Sequence, residues 1–225
     1  MVLWIANSIY LCLTLLNDLI GVVKKMASKD RILRLKEETR INILDASLQI
    51  VKEEGWQSLS MRKIADVIEY TAPIIYEYFS NKDAIILELT RQGYLLLSRD
   101  LEEAKSKHRL PAKQLEAMWL AYWNFAFANK ELYQAMFGIT TSCSCALVNT
   151  LPESEKPWEL FSAVIGELMG VDDMDSDMIC TKYYTFWSVV HGLISINILS
   201  RGNSDEINRQ VLKDAIGGII RSITA

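Results

Sequence analysis

The sequence predicts an all-helical protein, and three observations support that prediction. Half of the 225 residues are apolar, glycine and proline number only 10 and 4, and apolar side chains recur at helical rather than alternating spacing. This apolar fraction is sufficient for a sizeable buried core. We divide the chain into an apolar N-terminal extension (1–25), a small helical domain (26–86) and a larger helical domain (87–225).

The N-terminal extension is apolar over residues 1–23 and is followed by a Lys-Lys pair at 24–25. It is long enough to span a bilayer, but it lacks the preceding positive charge and the small-residue cleavage site of a secretory signal. Three interpretations remain open: a membrane anchor, an additional packed helix, or translated sequence ahead of a start at Met26. We expect the last of these, since Met26 to Ser28 makes a natural beginning.

The first helix of the small domain is predicted from Lys36 to Glu54 and ends at Gly55. Its apolar face is predicted to consist of Ile41, Leu44, Leu48 and Val51. The stretch Lys24–Arg40 has seven positive residues against three acidic ones, whereas the whole chain has a net charge of −4. Bulk charge therefore does not indicate a polyanionic partner, and any such prediction has to rest on a motif.

Two short helices follow, joined by a tight turn. Ser60 is a good N-cap for the first, which carries apolar residues at helical spacing, namely Met61, Ile64, Ala65, Val67 and Ile68. Thr71 is a good N-cap for the second, and Pro73 lies in its first turn, where a missing N–H costs nothing. Ile75 and Phe79 lie on one face of this second helix.

Three helix N-termini lie close together in this stretch, because Asn81 can cap a third helix whose first turn contains Lys82. Free backbone N–H groups at helix N-termini suit phosphate, so a nucleic-acid backbone is the obvious partner. Arg62 and Lys63 occupy the first turn of the first short helix, where the helix dipole favours acidic residues. A functional role explains these two residues better than a structural one.

The pair Ile64-Ala65, followed by a turn and by Ile-Tyr-x-Tyr-Phe-x-x-Lys at residues 75–82, resembles the DNA-binding domain of the TetR family of bacterial transcription regulators. The resemblance extends from about Lys36 to Leu89 and implies a three-helix helix-turn-helix domain. The family usually turns with Gly-Val-Ser, whereas this chain has Glu69-Tyr70-Thr71. If Glu69 takes the left-handed conformation, the cost is on the order of 1 kcal/mol.

The resemblance also implies which residues contact DNA. Arg62 takes the place from which family members reach a base edge, and Tyr76 and Lys82 match positions that hold phosphates. Tyr78 matches another such position but could equally pack against its neighbours. The second short helix otherwise offers small or apolar side chains, so thymine methyl contacts and DNA shape would determine much of the specificity. The predicted DNA-binding residues are Arg40, Ser60, Arg62, Lys63, Thr71, Ala72, Pro73, Ile74, Tyr76, Tyr78 and Lys82.

The larger domain is predicted to begin with a long helix from Asn81 to about His108. Residues 117–129 carry no charge and are predicted to form a helix buried on all sides. A further helix from about Asp175 to Ser200 contains Trp187-x-x-x-His191-Gly192, which resembles a W-x-x-x-H-G signature of one TetR C-terminal subfamily. The resemblance implies that this domain binds an effector and dimerises.

Aromatic residues are more numerous in the larger domain than a helical core requires, although each one could be packing alone. We expect a mostly apolar effector between the helix of Trp119 to Phe127 and the helix of Tyr183 to His191, with Asn124 among its few polar contacts. The absence of Lys or Arg there speaks against a strongly anionic ligand. His191 itself is expected to be buried and hydrogen-bonded. The predicted ligand-binding residues are Trp119, Tyr122, Trp123, Phe127, Phe137, Tyr183, Trp187 and His191.

The last helix carries two apolar stripes, more than one subunit can bury, and Gly217-Gly218 permits a close approach of backbones. The last two helices are therefore predicted to form a four-helix interface in a homodimer. The predicted interface residues are Ile207, Val211, Ala215, Ile216, Ile219 and Ile220.

Four cysteines without a regular framework favour a reducing cytoplasm. Cys143 and Cys145 could sense oxidants or bind a soft metal, and the sequence does not decide this. No hydrolase triad, phosphate loop or metal-ligand cluster is recognisable, so neither a cofactor nor an enzymatic activity is expected.

We expect a homodimeric, ligand-responsive transcriptional repressor that binds a near-palindromic DNA operator. Two alternatives remain. One is a membrane-tethered helical sensor anchored by residues 1–23. The other is a helical ligand-binding protein that has lost sequence-specific DNA binding, as Glu69 and Glu77 would suggest.

Overall fold

A computed structural model of the chain describes residues 29–138, 151–173, 176–199 and 202–224. The extension (1–25), Cys143 and Cys145 lie outside these ranges. The described residues contain nine α-helices and no strand, in agreement with the all-helical prediction. In chain order the helices are α1 (29–54), α2 (Met61–Val67), α3 (Ala72–Tyr78), α4 (Lys82–Ser106), α5 (Pro111–Ala128), α6 (Lys130–Phe137), α7 (Lys156–Met169), α8 (Asp177–Ile198) and α9 (Asp205–Thr224).

The chain forms two compact units, which meet between Ser80 and Asn81. The first unit contains α1 to α3, and the second contains α4 to α9. The boundary predicted after residue 86 falls inside α4.

The buried face of α1 differs from the prediction. Ile43, Ser47 and Ile50 are fully or almost fully buried, together with the predicted Leu44 and Val51. The prediction was wrong for Ile41, which is exposed, and Leu48 is only half-buried. The buried face passes through Ser47, whose hydroxyl donates to the carbonyl oxygen of Ile43 at 2.6 Å and needs no other partner. A count of apolar residues alone could not find this face.

The predicted stop of α1 at Gly55 is confirmed by a backbone φ of 83° there, a conformation that glycine adopts without strain. Trp56 follows in a short 3-10 turn and is buried. Ser60 then caps α2 as predicted, since its side chain accepts a hydrogen bond from the backbone N–H of Lys63 at 3.3 Å. The first unit is therefore held by a core to which all three helices contribute.

The long helix α4 begins at the predicted N-cap, because Asn81 Oδ1 accepts from the N–H of Ala84 at 2.8 Å. It packs against α5, α6 and α7 in the second unit. Gly93 lies at the contact with α6, where an added Cβ would come within 2.6 Å of the Met136 sulphur. A larger residue at position 93 would therefore require the flexible Met136 side chain to move.

The helix α5 begins at Pro111. Its centre is Trp119, which is completely buried and stacks on Phe161 of α7 and Phe186 of α8 with ring centroids 4.0 and 5.5 Å away. The prediction that residues 117–129 are buried on all sides was wrong. Leu120 and Phe127 are exposed in the single chain, and α5 therefore presents one open apolar edge.

The junction of α8 and α9 contains a reciprocal amide pair. Asn208 donates to Asn197 Oδ1 at 2.8 Å, and Asn197 donates to Asn208 Oδ1 at 3.2 Å. Asn208 is buried, so these bonds and one to the carbonyl of Asn203 satisfy a polar group inside the core. None of the helices in the described residues combines the length and apolarity needed to cross a membrane.

Candidate nucleic-acid interface and effector site

The turn between α2 and α3 is closed by two backbone hydrogen bonds. The N–H of Tyr70 donates to the carbonyl of Ala65 at 2.9 Å, and the N–H of Glu69 donates to the carbonyl of Asp66 at 3.4 Å. This pairing is the Schellman motif, in which the first residue beyond the C-cap takes the left-handed conformation. Glu69 takes that conformation with φ 58°, and it is the one non-glycine residue with positive φ in the described ranges.

Helix α3 buries one side and leaves the other open. Ile75 and Phe79 are buried as predicted, while Tyr76 is 54 % exposed and Pro73 is also exposed. Thr71 stands at the N-cap, but its side chain makes no capping hydrogen bond there. The N–H of Ile74 donates instead to the carbonyl of Thr71 at 3.0 Å, and Pro73 has no N–H. Ala72, Ile74 and Tyr78 are partly exposed on the same short helix, which leaves the predicted contact residues accessible.

The two basic residues of α2 have different surroundings. Arg62 is exposed, and its side chain makes no hydrogen bond or ion pair with any residue in the described part of the chain. Lys63, in contrast, contacts the carboxylate of Glu54 through its Nζ atom. The guanidinium carbon of Arg40 lies 5.0 Å from the centre of the Phe79 ring. Of Arg40, Arg62 and Lys63, Arg62 is thus the one whose guanidinium group is free to reach a base edge.

Lys82 is the first residue of α4 and belongs to the second unit. Its side chain is partly exposed at a helix N-terminus, where Asn81 caps the N–H of Ala84. This position suits a phosphate contact.

The structure divides the predicted ligand-binding residues into two groups. One group forms a continuous aromatic cluster at the contacts of α5, α6 and α8 and consists of Trp119, Tyr122, Phe137, Tyr183, Trp187 and His191. The other group is Trp123 and Phe127, whose rings lie 4.6 Å apart. These two line a separate groove of about 560 Å³ with Asn124, Asn208 and Arg209.

The aromatic cluster contains a hydrogen-bonded polar centre. Trp187 Nε1 donates to the Tyr122 hydroxyl at 3.1 Å, and His191 Nδ1 lies 2.5 Å from the Tyr133 hydroxyl and 3.4 Å from that of Tyr122. Burial raises the pKa of Tyr122 and of Tyr133, so both hydroxyls keep their protons. Burial lowers the pKa of His191, so the imidazole is neutral at pH 7.

The prediction of a hydrogen-bonded histidine at position 191 is confirmed, although the ring is only half-buried. Tyr133 was missed as a site residue, because nothing in its local sequence marks it. The signal that could have found it is His191 itself, since a histidine among apolar residues needs a polar partner from another helix.

The residues of α9 that are predicted to form the dimer interface are only partly exposed. Ile207 and Val211 are exposed at 48 % and 40 %, whereas Ile216 is 3 % exposed and packs within its own chain. The assignment of Ile216 to a subunit interface is therefore corrected. Ala215, Ile219 and Ile220 are partly exposed and remain predicted interface residues. Three large apolar residues of α8, Met178, Tyr184 and Ile196, are also exposed, as is Leu199 at its C-cap.

Within the part of the chain that the structure describes, no three His, Cys, Asp or Glu residues come together in a way that could hold a metal ion.

Comparison with known proteins gives two family matches. The model for bacterial regulatory proteins of the tetR family matches residues 43–89, and the tetracyclin repressor-like C-terminal domain matches residues 115–211. A curated relative, an uncharacterized HTH-type transcriptional regulator from Haemophilus influenzae, is 28 % identical over 94 residues, which cover 42 % of this chain and 50 % of the relative. The matched region therefore spans about half the length of that relative.

Solved structures share the fold. A protein of unknown function from Rhodococcus sp. RHA1 has a TM-score of 0.70 at 18 % identity, covering 83 % of this chain and 95 % of that one. The transcriptional regulator FadR from Bacillus subtilis, in complex with stearoyl-CoA, has a TM-score of 0.64 at 16 % identity, covering 79 % of this chain and 98 % of that one.

A helix-turn-helix unit followed by a helical domain is the architecture of a one-component regulator. The chain belongs to the TetR family of bacterial regulatory proteins, since it carries the family's N-terminal domain and a tetracyclin repressor-like C-terminal domain. The finer likeness to the W-x-x-x-H-G subfamily stays a prediction.

Proposed function

We propose that this chain is a homodimeric transcriptional repressor that binds a near-palindromic DNA operator and releases it on binding a small, mostly apolar effector. The observation that carries the proposal is the open side of α2 and α3. Ile75 and Phe79 anchor α3 in the core, while Arg62 and Tyr76 remain exposed. A structural role explains neither exposed residue, whereas a DNA surface would use both.

The proposed roles follow from side-chain chemistry. Arg62 contacts a base edge. Two N–H donors of its guanidinium group match the two major-groove acceptors of guanine. Tyr76 and Lys82 hold phosphates, and Lys63 does so in competition with Glu54. Thr71 to Ile74 face the major groove, where they supply apolar contacts to thymine methyl groups. The exposed residues of α8 and α9 pair two subunits, which sets two recognition helices about one DNA turn apart.

The proposed effector site is the aromatic cluster. The cluster itself contains no lysine or arginine, so it suits an apolar molecule with few polar groups better than a strongly anionic one. The fold-related FadR was solved in complex with stearoyl-CoA, whose acyl chain is apolar and whose CoA part is anionic, so it supports only an apolar chain at the cluster. The groove beside Trp123 and Phe127 is a second candidate location, because it combines a volume of about 560 Å³ with an exposed aromatic pair.

Effector and operator are coupled through the equilibrium between two states of the dimer. An effector that binds the DNA-free state more tightly than the DNA-bound state lowers the affinity for DNA, by a factor set by the ratio of its affinities for the two states. Operator DNA must then weaken effector binding by the same factor. This reciprocity separates a regulator from a protein that binds DNA and ligand independently.

Selection of bound duplexes from a random DNA pool tests the proposal. We expect enrichment of one near-palindromic sequence, with half-sites about ten base pairs apart. Recovery of unrelated sequences would contradict the proposed repressor function and would favour a ligand-binding protein without sequence-specific DNA binding. Fractionation of cells expressing the chain with and without residues 1–25 decides the membrane-tethered alternative, because an anchor would hold only the longer form in the membrane fraction.

A further inference from the structure

The polar centre of the aromatic cluster is a network of hydrogen bonds. Trp187 can only donate through Nε1, and it donates to the Tyr122 hydroxyl. The hydroxyls of Tyr133 and Tyr122 lie 2.5 and 3.4 Å from His191 Nδ1. Both hydroxyls can donate to this nitrogen only while it carries no proton.

A count of donors and acceptors fixes the histidine tautomer. If His191 Nδ1 carries no proton, Trp187 donates to Tyr122 and both tyrosine hydroxyls donate to Nδ1, so each donor has an acceptor. If Nδ1 carries a proton, it cannot accept, and the buried O–H groups of Tyr122 and Tyr133 lose this acceptor. An unpaired buried donor is costly enough to select the first arrangement. The proton of neutral His191 is therefore on Nε2.

The Nε2 atom is available to a ligand. It has no hydrogen-bond partner among the residues that the structure describes, and the ring is only half-buried. Tyr122 and Tyr133 are almost completely buried, and their hydroxyls contact Nδ1 rather than Nε2. Trp187 stacks on the ring with centroids 4.6 Å apart and Phe137 packs edge-on at 5.0 Å, so the imidazole is held in orientation.

From this geometry, and resting on the proposed effector site, we propose that His191 Nε2–H is the single donor that recognises an uncharged acceptor, such as a ketone or ester carbonyl, on an otherwise apolar effector. Tyr122 and Tyr133 are positioning residues, since they act by fixing the tautomer, and Trp187 holds the ring by stacking on it. The aromatic walls accept the apolar body of the ligand but do not distinguish a ketone from an alkane. Specificity for the carbonyl then comes from one oriented N–H group.

The tautomer can be measured without knowing the natural effector. The chain contains only two histidines, so ¹⁵N-labelled histidine gives two sets of ring signals, and a His108→Gln variant identifies those of His191. We expect the protonated nitrogen of His191 to be Nε2 and the unprotonated one Nδ1. The opposite assignment would overturn the proposal.

A variant of a positioning residue tests how the tautomer is fixed. Tyr133→Phe keeps the aromatic ring but removes the hydroxyl that lies 2.5 Å from Nδ1, so a measurable share of the Nδ1–H tautomer should appear. Tyr184→Phe is the matched control, because Tyr184 is exposed and its ring packs on Tyr183 and Trp187 rather than on His191. Circular dichroism confirms that both variants are folded. An unchanged tautomer in folded Tyr133→Phe would contradict the assignment.

Ligand recognition is tested with 2-nonanone and nonane, which differ in one carbonyl oxygen. The wild-type chain should bind the ketone about fivefold more tightly than the alkane in calorimetric titration, as one net hydrogen bond provides. His191→Phe should remove this preference while keeping alkane affinity. If the wild-type chain binds both probes equally, or binds neither, His191 does not recognise a carbonyl group. The titration contains no DNA, so this result would not contradict the repressor function, which the selection of bound DNA tests separately.

Discussion

The backbone N–H of Tyr70 donates to the carbonyl oxygen of Ala65 at 2.9 Å, and between these residues Glu69 adopts φ 58°. The bond terminates α2 and turns the chain so that α3 can begin at Ala72. The turn therefore has the geometry usually built with glycine, but with a side chain at the left-handed position. This residue stores strain within the motif that the DNA-binding proposal depends on.

Glu69→Gly should stabilise the first unit. Removing the side chain relieves the left-handed strain, and part of that gain is offset by the greater flexibility of glycine in the unfolded chain. We expect the free energy of unfolding to rise by about 0.5–1 kcal/mol in urea denaturation. Glu77→Gly is the control, because Glu77 is exposed within helix α3 and glycine there should cost about 0.5 kcal/mol. A lower free energy of unfolding for Glu69→Gly would contradict the claim that the backbone of Glu69 is strained.

Val211→Glu should dissociate the dimer and leave each subunit folded. Val211 is exposed in the single chain, so a carboxylate there is harmless until a second subunit would bury it. We expect the dimer to weaken at least about 100-fold, as measured by sedimentation. Lys213→Glu, on an exposed position outside the stripe, should remain dimeric. Ile216→Glu is unsuitable because it would place a charge in the subunit's own core.

His191 should make the stability of the second unit depend on pH. Burial lowers the pKa of folded His191 below its ordinary value of 6.5, so the unfolded chain takes up a proton first as the pH falls. Stability is then fully present above pH 6.5 and decreases below it, by at most about 1.4 kcal/mol per pH unit. The measurement is thermal unfolding of the wild-type and His191→Gln chains between pH 7.5 and 5.5. If the two chains lose stability in parallel, His191 does not titrate in this way.

The two candidate effector locations respond to different substitutions. If the effector binds at the aromatic cluster, Trp187→Ala should abolish release of operator DNA by apolar compounds, while Trp123→Ala should respond normally. If it binds in the groove, the reverse holds, because Trp123 lines only the groove. Fluorescence anisotropy of labelled operator gives the readout. If both variants respond normally, the effector binds at neither the aromatic cluster nor the groove.

The sequence predicts the local features of the motif well, because they depend on neighbouring residues. Ser60 and Asn81 accept the expected capping bonds, and Gly55 ends α1 as expected. The possible left-handed conformation of Glu69 could also be stated in advance, since the turn required it. Each of these features is determined within a few residues of chain.

The parts that could not be predicted depend on distant partners. Helical spacing of apolar residues missed Ser47, which satisfies its own hydroxyl and so lies in the core like an apolar residue. In residues 117–129 an almost uninterrupted apolar run shows no periodicity, so the exposed edge at Leu120 and Phe127 could not be recognised. Tyr133 joins the site only because α6 brings it to His191 of α8.

The measurement that tests the central claim most directly is the affinity of Arg62→Ala for the selected operator, its single-base variants and random DNA. Arg62→Ala should lose about 1–3 kcal/mol on the operator and discrimination at one base pair, with little change on random DNA. Lys82→Ala should weaken binding to all sequences and lower the slope against log salt by about 1. Lys52→Ala, an exposed lysine of α1 outside the predicted surface, should change neither. Equal losses for Arg62→Ala on operator and random DNA would contradict base reading by this helix-turn-helix.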